Sequence, residues 1–145
     1  MPELCRYLFM AGALPFIILG TLHALATPTR VDQARGLSPQ DPAIRDAMQA
    51  EPLLMTRRTS LWWAWVGFNL SHSLGAVLFG AVVVLLGRSS ASFTPQAHLF
   101  MPLAILTSSS YLYLAARYWF RTPIIGVGFS TACFIGSYVL FLFGA

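Results

Sequence analysis

Two polar side chains in a long apolar run, Asn69 and His72, are the residues of this chain best suited to chemistry. Histidine exchanges a proton near neutral pH and is also a common metal ligand. An ionisable residue deep inside a membrane segment predicts a functional site. His72 is therefore the candidate acid–base catalyst, and Asn69, about one helical turn earlier, is the candidate group for orienting a substrate oxygen.

Further polar side chains fall at comparable depths in the other apolar stretches. At about 1.5 Å per residue, His72 lies roughly 16 Å from the start of its stretch, and Ser110 lies roughly 15 Å from the end of the next one. The same counting places His23 about two turns nearer the membrane surface than His72. The candidates for lining a pocket are His23, Asn69, His72, Ser110, Tyr111 and Ser130.

Three interpretations of these polar residues stay open. The first is structural, because Ser, Thr, Asn and His often hydrogen-bond between membrane helices, at about 0.6 kcal/mol per bond. The second is a pocket with a polar floor for a lipid-like or hydrophobic ligand. The third is chemistry, either acid–base catalysis by His72 or haem held by His23 and His72. No cofactor is predicted, since bis-histidine haem needs two histidines at matched depth.

Some function classes are disfavoured by residues that the sequence lacks. No Asp or Glu follows Glu51, so the apolar stretches offer no carboxylate for a proton relay, ion-coupled transport or paired acid–base catalysis. Cys5 and Cys133 form no CxxC motif, so we expect two unpaired thiols and no metal site. An enzyme is accordingly the less favoured class.

The elements that must position these residues are four apolar stretches, at about residues 7–27, 61–86, 99–120 and 123–145. A spanning helix needs about 20 mostly apolar residues. Charged residues make up only 10% of the chain, against about 25% in a soluble domain. The apolar runs are continuous and do not alternate, which favours helices over barrel strands. The predicted fold class is all-α, a membrane-embedded four-helix bundle forming one domain over residues 1–145.

A long polar loop, residues 28–60, joins the first two spans. Asp41 and Pro42 are typical of a helix start, with Asp as N-cap and Pro at the first helical position. The loop is therefore expected to hold a short amphipathic helix that ends before Glu51 and lies on the membrane surface or over the bundle. Its apolar face would carry Ala43, Ile44, Ala47 and Met48, with Arg45, Asp46 and Gln49 largely off that face.

Small and aromatic residues predict how the spans pack. Two stripes of small residues favour close helix packing, and the stripe on the fourth span is also a candidate docking face for a second copy. Aromatic clusters at the start of the second span and the end of the third predict a belt at one membrane interface. The stripes are Gly67, Ser71 and Gly75, and Gly126, Ser130, Cys133 and Ser137; the clusters are Trp62, Trp63 and Trp65, and Tyr118, Trp119 and Phe120.

The distribution of arginine predicts the orientation. The net charge is +4. Seven of the nine arginines lie in the long loop or the third connection, and the other two are Arg6 and Arg88. The positive-inside rule then places residues 28–60 in the cytoplasm and both termini outside. The basic residues are not interleaved with aromatic ones, so no nucleic-acid partner is expected. Residues 1–26 also have features of a signal peptide, but Glu3 beside the basic residue favours retention of the segment.

Two strings carry a resemblance to known proteins. The run WWAWVGFNLSHSLG from Trp62 to Gly75, together with GTLHAL from Gly20 to Leu25, resembles a group of small bacterial four-span membrane proteins. The layout is also similar to that of DoxX-like proteins in span number and length. The resemblance implies a multi-pass protein of the bacterial inner membrane, and it implies no catalytic residue and no substrate.

The sequence as a whole predicts a non-catalytic membrane module, either an accessory or assembly subunit or a binder of a hydrophobic molecule. The alternative is a small membrane enzyme acting on a lipid-like substrate, with His72 as acid–base and Asn69, Ser110 or Tyr111 positioning the substrate. The expected partners are membrane lipids and either a second copy or a partner membrane protein.

Overall fold

The computed structural model describes residues 2–88 and 90–143, which are helical apart from loops and one short hairpin. The helices in these ranges are α1 (Pro2–Ala26), α2 (Pro42–Ala50), α3 (Leu61–Arg88), α4 (Ser90–Tyr118) and α5 (Arg121–Phe143). The hairpin consists of β1 (Pro52–Leu53) and β2 (Thr56–Ser60). Helices α1, α3, α4 and α5 are long and apolar enough to cross a membrane, which confirms the predicted all-α class and its four spans.

The helices extend beyond the predicted spans mainly at the second connection, although the part of α4 that is apolar enough to span, Gln96–Tyr118, begins close to the predicted residue 99. Helix α4 begins at Ser90, about two and a half turns before the predicted start at residue 99. Ser and Ala tolerate a helical backbone, and the helix continues because Phe93 and Ala97 are buried in the core. Residues 144–145 of the predicted fourth span lie outside the described residues.

The chain divides into two compact units, which we name the bundle unit (residues 1–19 and 76–145) and the loop unit (residues 20–75). The bundle unit contains α4, α5, most of α1 and the second half of α3. Its core is aromatic: the Phe9 ring lies 5.4 Å from the rings of both Phe93 and Phe134, and Phe16 packs edge-on against Phe79 at 4.8 Å. Four helices therefore supply the core of this unit, as a four-helix bundle requires.

The small-residue stripe of α5 packs against α1. A Cβ atom built on Gly126 would lie 2.6 Å from the Cδ1 atom of Leu19, so a larger residue there would require the Leu19 side chain to shift. At the other end, Ser137 Oγ donates a hydrogen bond to the carbonyl oxygen of Cys5 at 2.8 Å. The prediction of close packing at this stripe is thus confirmed. The alternative prediction, that a second copy docks on it, is wrong, because Ser130, Cys133 and Ser137 are buried inside the chain. Cys5 and Cys133 are both buried free thiols, as expected.

The small-residue face of α3 does not pack as predicted. Gly67, Ser71 and Gly75 are exposed, and a Cβ atom on Gly67 would meet no described atom within 4 Å. The hydroxyl of Ser71 donates to the carbonyl oxygen of Phe68 in its own helix. The buried stripe of this part of α3 is a different one, formed by Trp62, Val66, Asn69 and Ser73.

In the loop unit, α2 begins where the sequence predicts. Asp41 Oδ1 accepts a hydrogen bond from the Ala43 amide at 2.9 Å, and Pro42 occupies the first turn. Arg45 lies off the apolar face of α2, as predicted, but it is buried and only 7% exposed. The guanidinium group is buried because it binds loop carbonyl oxygens that no helix or strand satisfies. Its acceptors are the carbonyl oxygens of Val31, Pro39 and Gln40, at 3.1, 2.7 and 2.9 Å.

The hairpin that follows α2 was not predicted from the sequence. Strands β1 and β2 are antiparallel, with Pro52 opposite Ser60 and Leu53 opposite Thr56. Leu54 and Met55 form the turn, and neither is a residue type that signals a two-residue hairpin. At the end of β2, the amide of Leu61 donates to the carbonyl oxygen of Glu51 at 2.8 Å, which ties the end of α2 to the start of α3.

The aromatic belt needs one correction. Trp62 is fully buried, and its ring lies 5.2 Å from that of Trp65, so it packs inside the protein and is not available to contact lipid headgroups. Within residues 2–88 and 90–143 its indole Nε1 has no hydrogen-bond partner. Trp63 and Trp119 are exposed, as the belt requires.

Candidate functional site

Three of the predicted site residues come together in the loop unit, and we name them the imidazole cluster: His23, Asn69 and His72. The last turn of α1 carries His23, and α3 carries the other two. His23 Nε2 lies 2.8 Å from Asn69 Oδ1, and the centroids of the two imidazole rings are 5.2 Å apart at an angle of 59°. Phe68 stacks on the His72 ring from within α3, with the two planes 16° apart.

Hydrogen-bond chemistry fixes the protonated nitrogen of His23. Asn69 Nδ2 donates to the carbonyl oxygen of Trp65 at 2.8 Å, and a carbonyl can only accept. The amide is thereby oriented with its oxygen towards His23, so His23 Nε2 must carry the proton and donate it. In a neutral His23 the acceptor nitrogen is then Nδ1. Asn69 is therefore a positioning residue for His23.

Short hydrogen bonds hold the backbone on both sides of this contact. The Thr27 hydroxyl donates to the carbonyl oxygen of His23 at 2.9 Å, and the Ser73 hydroxyl donates to that of Asn69 at 2.9 Å. Thr27, Asn69 and Ser73 are all buried, whereas the two imidazoles are half-buried. The cluster thus combines a buried, hydrogen-bonded Asn69 with two partly accessible imidazole rings.

The predicted depth mismatch between the two histidines is wrong. His23 lies three residues before the end of α1, while its partner Asn69 lies eight residues after the start of α3. Their hydrogen bond means that the first turns of α3 extend roughly 7 Å beyond the end of α1. The depths predicted from the sequence are counted from the ends of the apolar stretches. That count requires the end of α1 and the start of α3 to lie at one level, whereas the structure offsets them. The sequence argument against a bis-histidine ligand pair therefore no longer holds.

The other three candidate residues lie in the bundle unit. Ser110 is exposed and donates to the carbonyl oxygen of Leu106, and Ser130 is fully buried and donates to that of Gly126. Both bonds stay within their own helix, a usual arrangement for serine in membrane helices. Tyr111 packs edge-on against Phe16, with 5.3 Å between the ring centroids. Of these contacts, the one between Tyr111 and Phe16 joins two helices, whereas the two serine bonds do not.

The surroundings of the imidazole cluster are apolar. Leu22, the neighbour of His23 in α1, and Phe68, which stacks on His72, are both more than half exposed. Among the residues that the structure describes, no group of three or more His, Cys, Asp or Glu side chains is placed to hold a metal ion. What the arrangement offers chemically is a pair of imidazoles for hydrogen bonding or proton transfer beside apolar surface.

The chain matches no family model, no curated protein and no solved structure. The features that bear on its function are the geometry of the imidazole cluster and the four helices that can span a membrane.

Proposed function

We propose that this protein is an integral membrane module that binds a hydrophobic molecule bearing a polar group at the imidazole cluster, without converting it. The observation that carries the proposal is the approach of two half-buried imidazoles to 5.2 Å on helices α1 and α3. Both helices are long and apolar enough to lie in a bilayer. A polar pair in such surroundings is a binding site by default.

Ligand binding accounts for the cluster better than helix adhesion alone. Adhesion is already provided by the His23–Asn69 hydrogen bond, and His72 is not needed for that bond. A neutral imidazole offers one N–H donor and one acceptor nitrogen, so a pair of imidazoles can bind a hydroxyl or carbonyl group of a ligand. The exposed side chains of Leu22 and Phe68 offer apolar surface for the body of the same molecule.

The alternative is a small membrane enzyme acting on a lipid-like substrate with His72 as acid–base, and one observation favours it. The second imidazole, that of His23, lies beside His72 and is oriented by Asn69 in the way that a catalytic pair requires. Asn69 already engages both of its amide atoms, so in this reading it acts through His23 and does not orient the substrate.

We further propose that the protein resides in the bacterial inner membrane with residues 28–60 in the cytoplasm. The support is the positive-inside rule applied to the arginines of this loop and of the third connection. An accessory role towards a partner membrane protein is compatible with the same placement, and the bound molecule would then be shared with that partner.

The test is native mass spectrometry with lipid extraction and a visible spectrum of the purified protein. We expect the wild type to carry a hydrophobic molecule that His72→Ala loses and Ser110→Ala retains, because the Ser110 hydroxyl is exposed and bonds only its own helix among the described residues. His72→Gln, which keeps a polar side chain, guards against a folding defect. A Soret band would identify the ligand as haem.

Two outcomes would overturn the proposal. If the wild type carries nothing, the cluster serves helix adhesion. If the wild type converts the extracted molecule and His72→Ala binds it without converting it, the protein is an enzyme.

A further inference from the structure

We propose that α2 and the hairpin form a membrane-binding foot, residues 42–60, that docks on the anionic phospholipid surface where α3 enters the bilayer. The turn of the hairpin enters the apolar boundary of the membrane, and two arginines on β2 bind lipid phosphate groups. This inference is independent of the imidazole cluster.

The turn residues carry the first argument. Leu54 is 108% exposed and Met55 is 96% exposed, more than any other large apolar side chain within residues 2–88 and 90–143. Hairpin turns normally take Gly, Asn, Asp or Ser, because these residues suit the backbone and stay hydrated. Two consecutive large apolar residues in water would each forgo the free energy of burial. Such a tip is typical of a site that another apolar phase covers.

The second argument is the apolar face of α2. The face expected from the sequence is present, and it lines an open groove. Ile44 is 51% exposed on this face, so the other described residues leave it largely uncovered. The groove is lined by Ala43, Ile44, Ala47, Met48, Glu51 and Leu61. Leu61 is the first residue of α3, so the uncovered face lies at the point where a membrane-spanning helix begins.

A short covalent and hydrogen-bonded path holds the foot at this level. Helix α3 follows Ser60 with no linker. The Leu61 amide donates to the carbonyl oxygen of Glu51, and Pro52 pairs with Ser60. Because α2, the hairpin and the start of α3 are tied together in this way, an apolar surface on the foot lies next to the bilayer surface.

Charge decides which surface is bound. Arg57 and Arg58 are both exposed on β2, and the hairpin carries no acidic residue. The salt bridges within the described residues are Arg6–Glu3 and Arg30–Asp32, so neither hairpin arginine is neutralised by a described carboxylate. Arginine binds phosphate oxygens through a bidentate fork. An apolar tip followed on β2 by two such groups fits a membrane of anionic phospholipid.

The experiment measures insertion of the turn directly in the full chain. In a Cys5→Ser/Cys133→Ala background, Met55→Cys is labelled with an environment-sensitive fluorophore and reconstituted in nanodiscs of phosphatidylcholine, with or without phosphatidylglycerol. Spin-labelled lipids then serve as quenchers. We expect the label to be shifted to the blue and quenched by headgroup-level spin labels, more strongly in anionic discs. A label at Gln33→Cys, an exposed loop position, should remain in water.

The charge argument has its own arm. Arg57→Gln/Arg58→Gln should lower the ratio of inserted to free turn in anionic discs by roughly 25-fold, because each arginine near such a surface contributes a factor of about five. The matched control is Arg30→Gln/Arg35→Gln, two exposed arginines elsewhere in the loop, which should leave insertion unchanged. Free inorganic phosphate should not compete, since a lipid surface and not a phosphate ion is the ligand.

Two results would overturn the proposal. A label at position 55 that stays in water in both kinds of disc would show that the turn does not bind the membrane. A label that is shielded from water but reached by no lipid quencher would show that a protein, either a partner or a second copy, covers the turn.

Discussion

At the scale of single residues, Asn69 is the side chain that organises the imidazole cluster. Its oxygen accepts from His23 and its nitrogen donates to the Trp65 carbonyl oxygen, so one amide joins α1 to α3 and selects the His23 tautomer. Leucine has a similar volume and can do neither. The role of Asn69 is therefore separable from simple filling of space.

Asn69→Leu should destabilise the protein by about 1–2 kcal/mol, because it removes the hydrogen bond that joins Asn69 on α3 to His23 on α1. Thermal unfolding in detergent measures the loss, and nitrogen NMR should show His23 shifting from one tautomer to a mixture. The control is Ser71→Ala, whose exposed hydroxyl bonds only its own helix among the described residues. Equal stability of the two variants, with the tautomer unchanged, would contradict this role.

Arg45 has a comparable role in the loop. Its guanidinium group binds the backbone at Val31, Pro39 and Gln40, so a buried cation holds ten residues that have no regular structure. Asp32, which follows Val31 in the chain, does not pair with Arg45. The Arg30 side chain hydrogen-bonds to Asp32 and holds the pKa of that exposed carboxyl below its usual value.

Arg45→Met should cost about 2–4 kcal/mol in local stability, because buried carbonyl oxygens lose their charged donor. Trypsin should then cleave faster after Arg35, which lies inside the segment that Arg45 holds. Arg57→Met removes an exposed arginine instead and should leave the rate of that cleavage unchanged. If the two variants are cleaved after Arg35 at the same rate, Arg45 does not organise the loop.

At the scale of elements, close helix contacts depend on where a glycine faces a neighbour. A Cβ atom on Gly80 would lie 2.6 Å from Ile17 Cγ1 and 3.0 Å from the carbonyl oxygen of Ala13, so α1 and α3 touch there through backbone. Gly67, in the same helix, has no described atom within 4 Å of its Cβ position. The two glycines are therefore a matched pair for separating packing from helix propensity.

Gly80→Ala should destabilise the protein by about 1–3 kcal/mol through overpacking. Gly67→Ala should be neutral or stabilising by up to about 1 kcal/mol, because alanine favours a helix over glycine. Unfolding in a mixed detergent series compares the two variants under one condition. A loss of stability in both would mean that the face of Gly67 is also in contact, for example with a second copy.

The elements that the sequence predicts correctly are those that depend on local signals. Four long apolar runs specify four spans by themselves, and Asp41 with Pro42 specifies the start of α2. The hairpin has no such signal, since its strands are short and its turn is Leu54–Met55. Burial of Arg45 likewise depends on carbonyl oxygens that a loop brings to it, and residue type alone indicates a solvated position.

The site was predictable in its residues but not in its geometry. His72 and Asn69 stand out because polar residues are rare in membrane spans. The proximity of His23 follows from the offset between the ends of α1 and α3, which no single helix encodes. Ser110 and Ser130, both predicted to line a pocket, bond to their own helices. The residue type alone does not reveal whether a serine hydroxyl bonds within its helix or across to another helix.

At the scale of the whole molecule, the distribution of arginine predicts on which side of the membrane residues 28–60 lie. Four spans put both ends of the chain on one side and residues 28–60 on the other. The loop, the last turn of α4 and the first residue of α5 carry all of the arginines except Arg6 and Arg88. A cluster of this kind resists translocation, so the chain should insert with the loop in the cytoplasm.

We therefore expect alkaline phosphatase fused after α5 to be active, and the same enzyme inserted in the loop near Gln33 to be inactive, when the fusions are made in a Gram-negative host. A fluorescent protein that folds only in the cytoplasm should give the reverse pattern at the two positions. Replacing the exposed arginines Arg30, Arg35, Arg57 and Arg58 by glutamine should weaken this preference and yield mixed activity, because Arg6 and Arg88 would then face a reduced opposing charge. If alkaline phosphatase is active only when inserted in the loop of the unmodified chain, the orientation is the reverse of the predicted one. The membrane-binding foot would then dock on the outer leaflet.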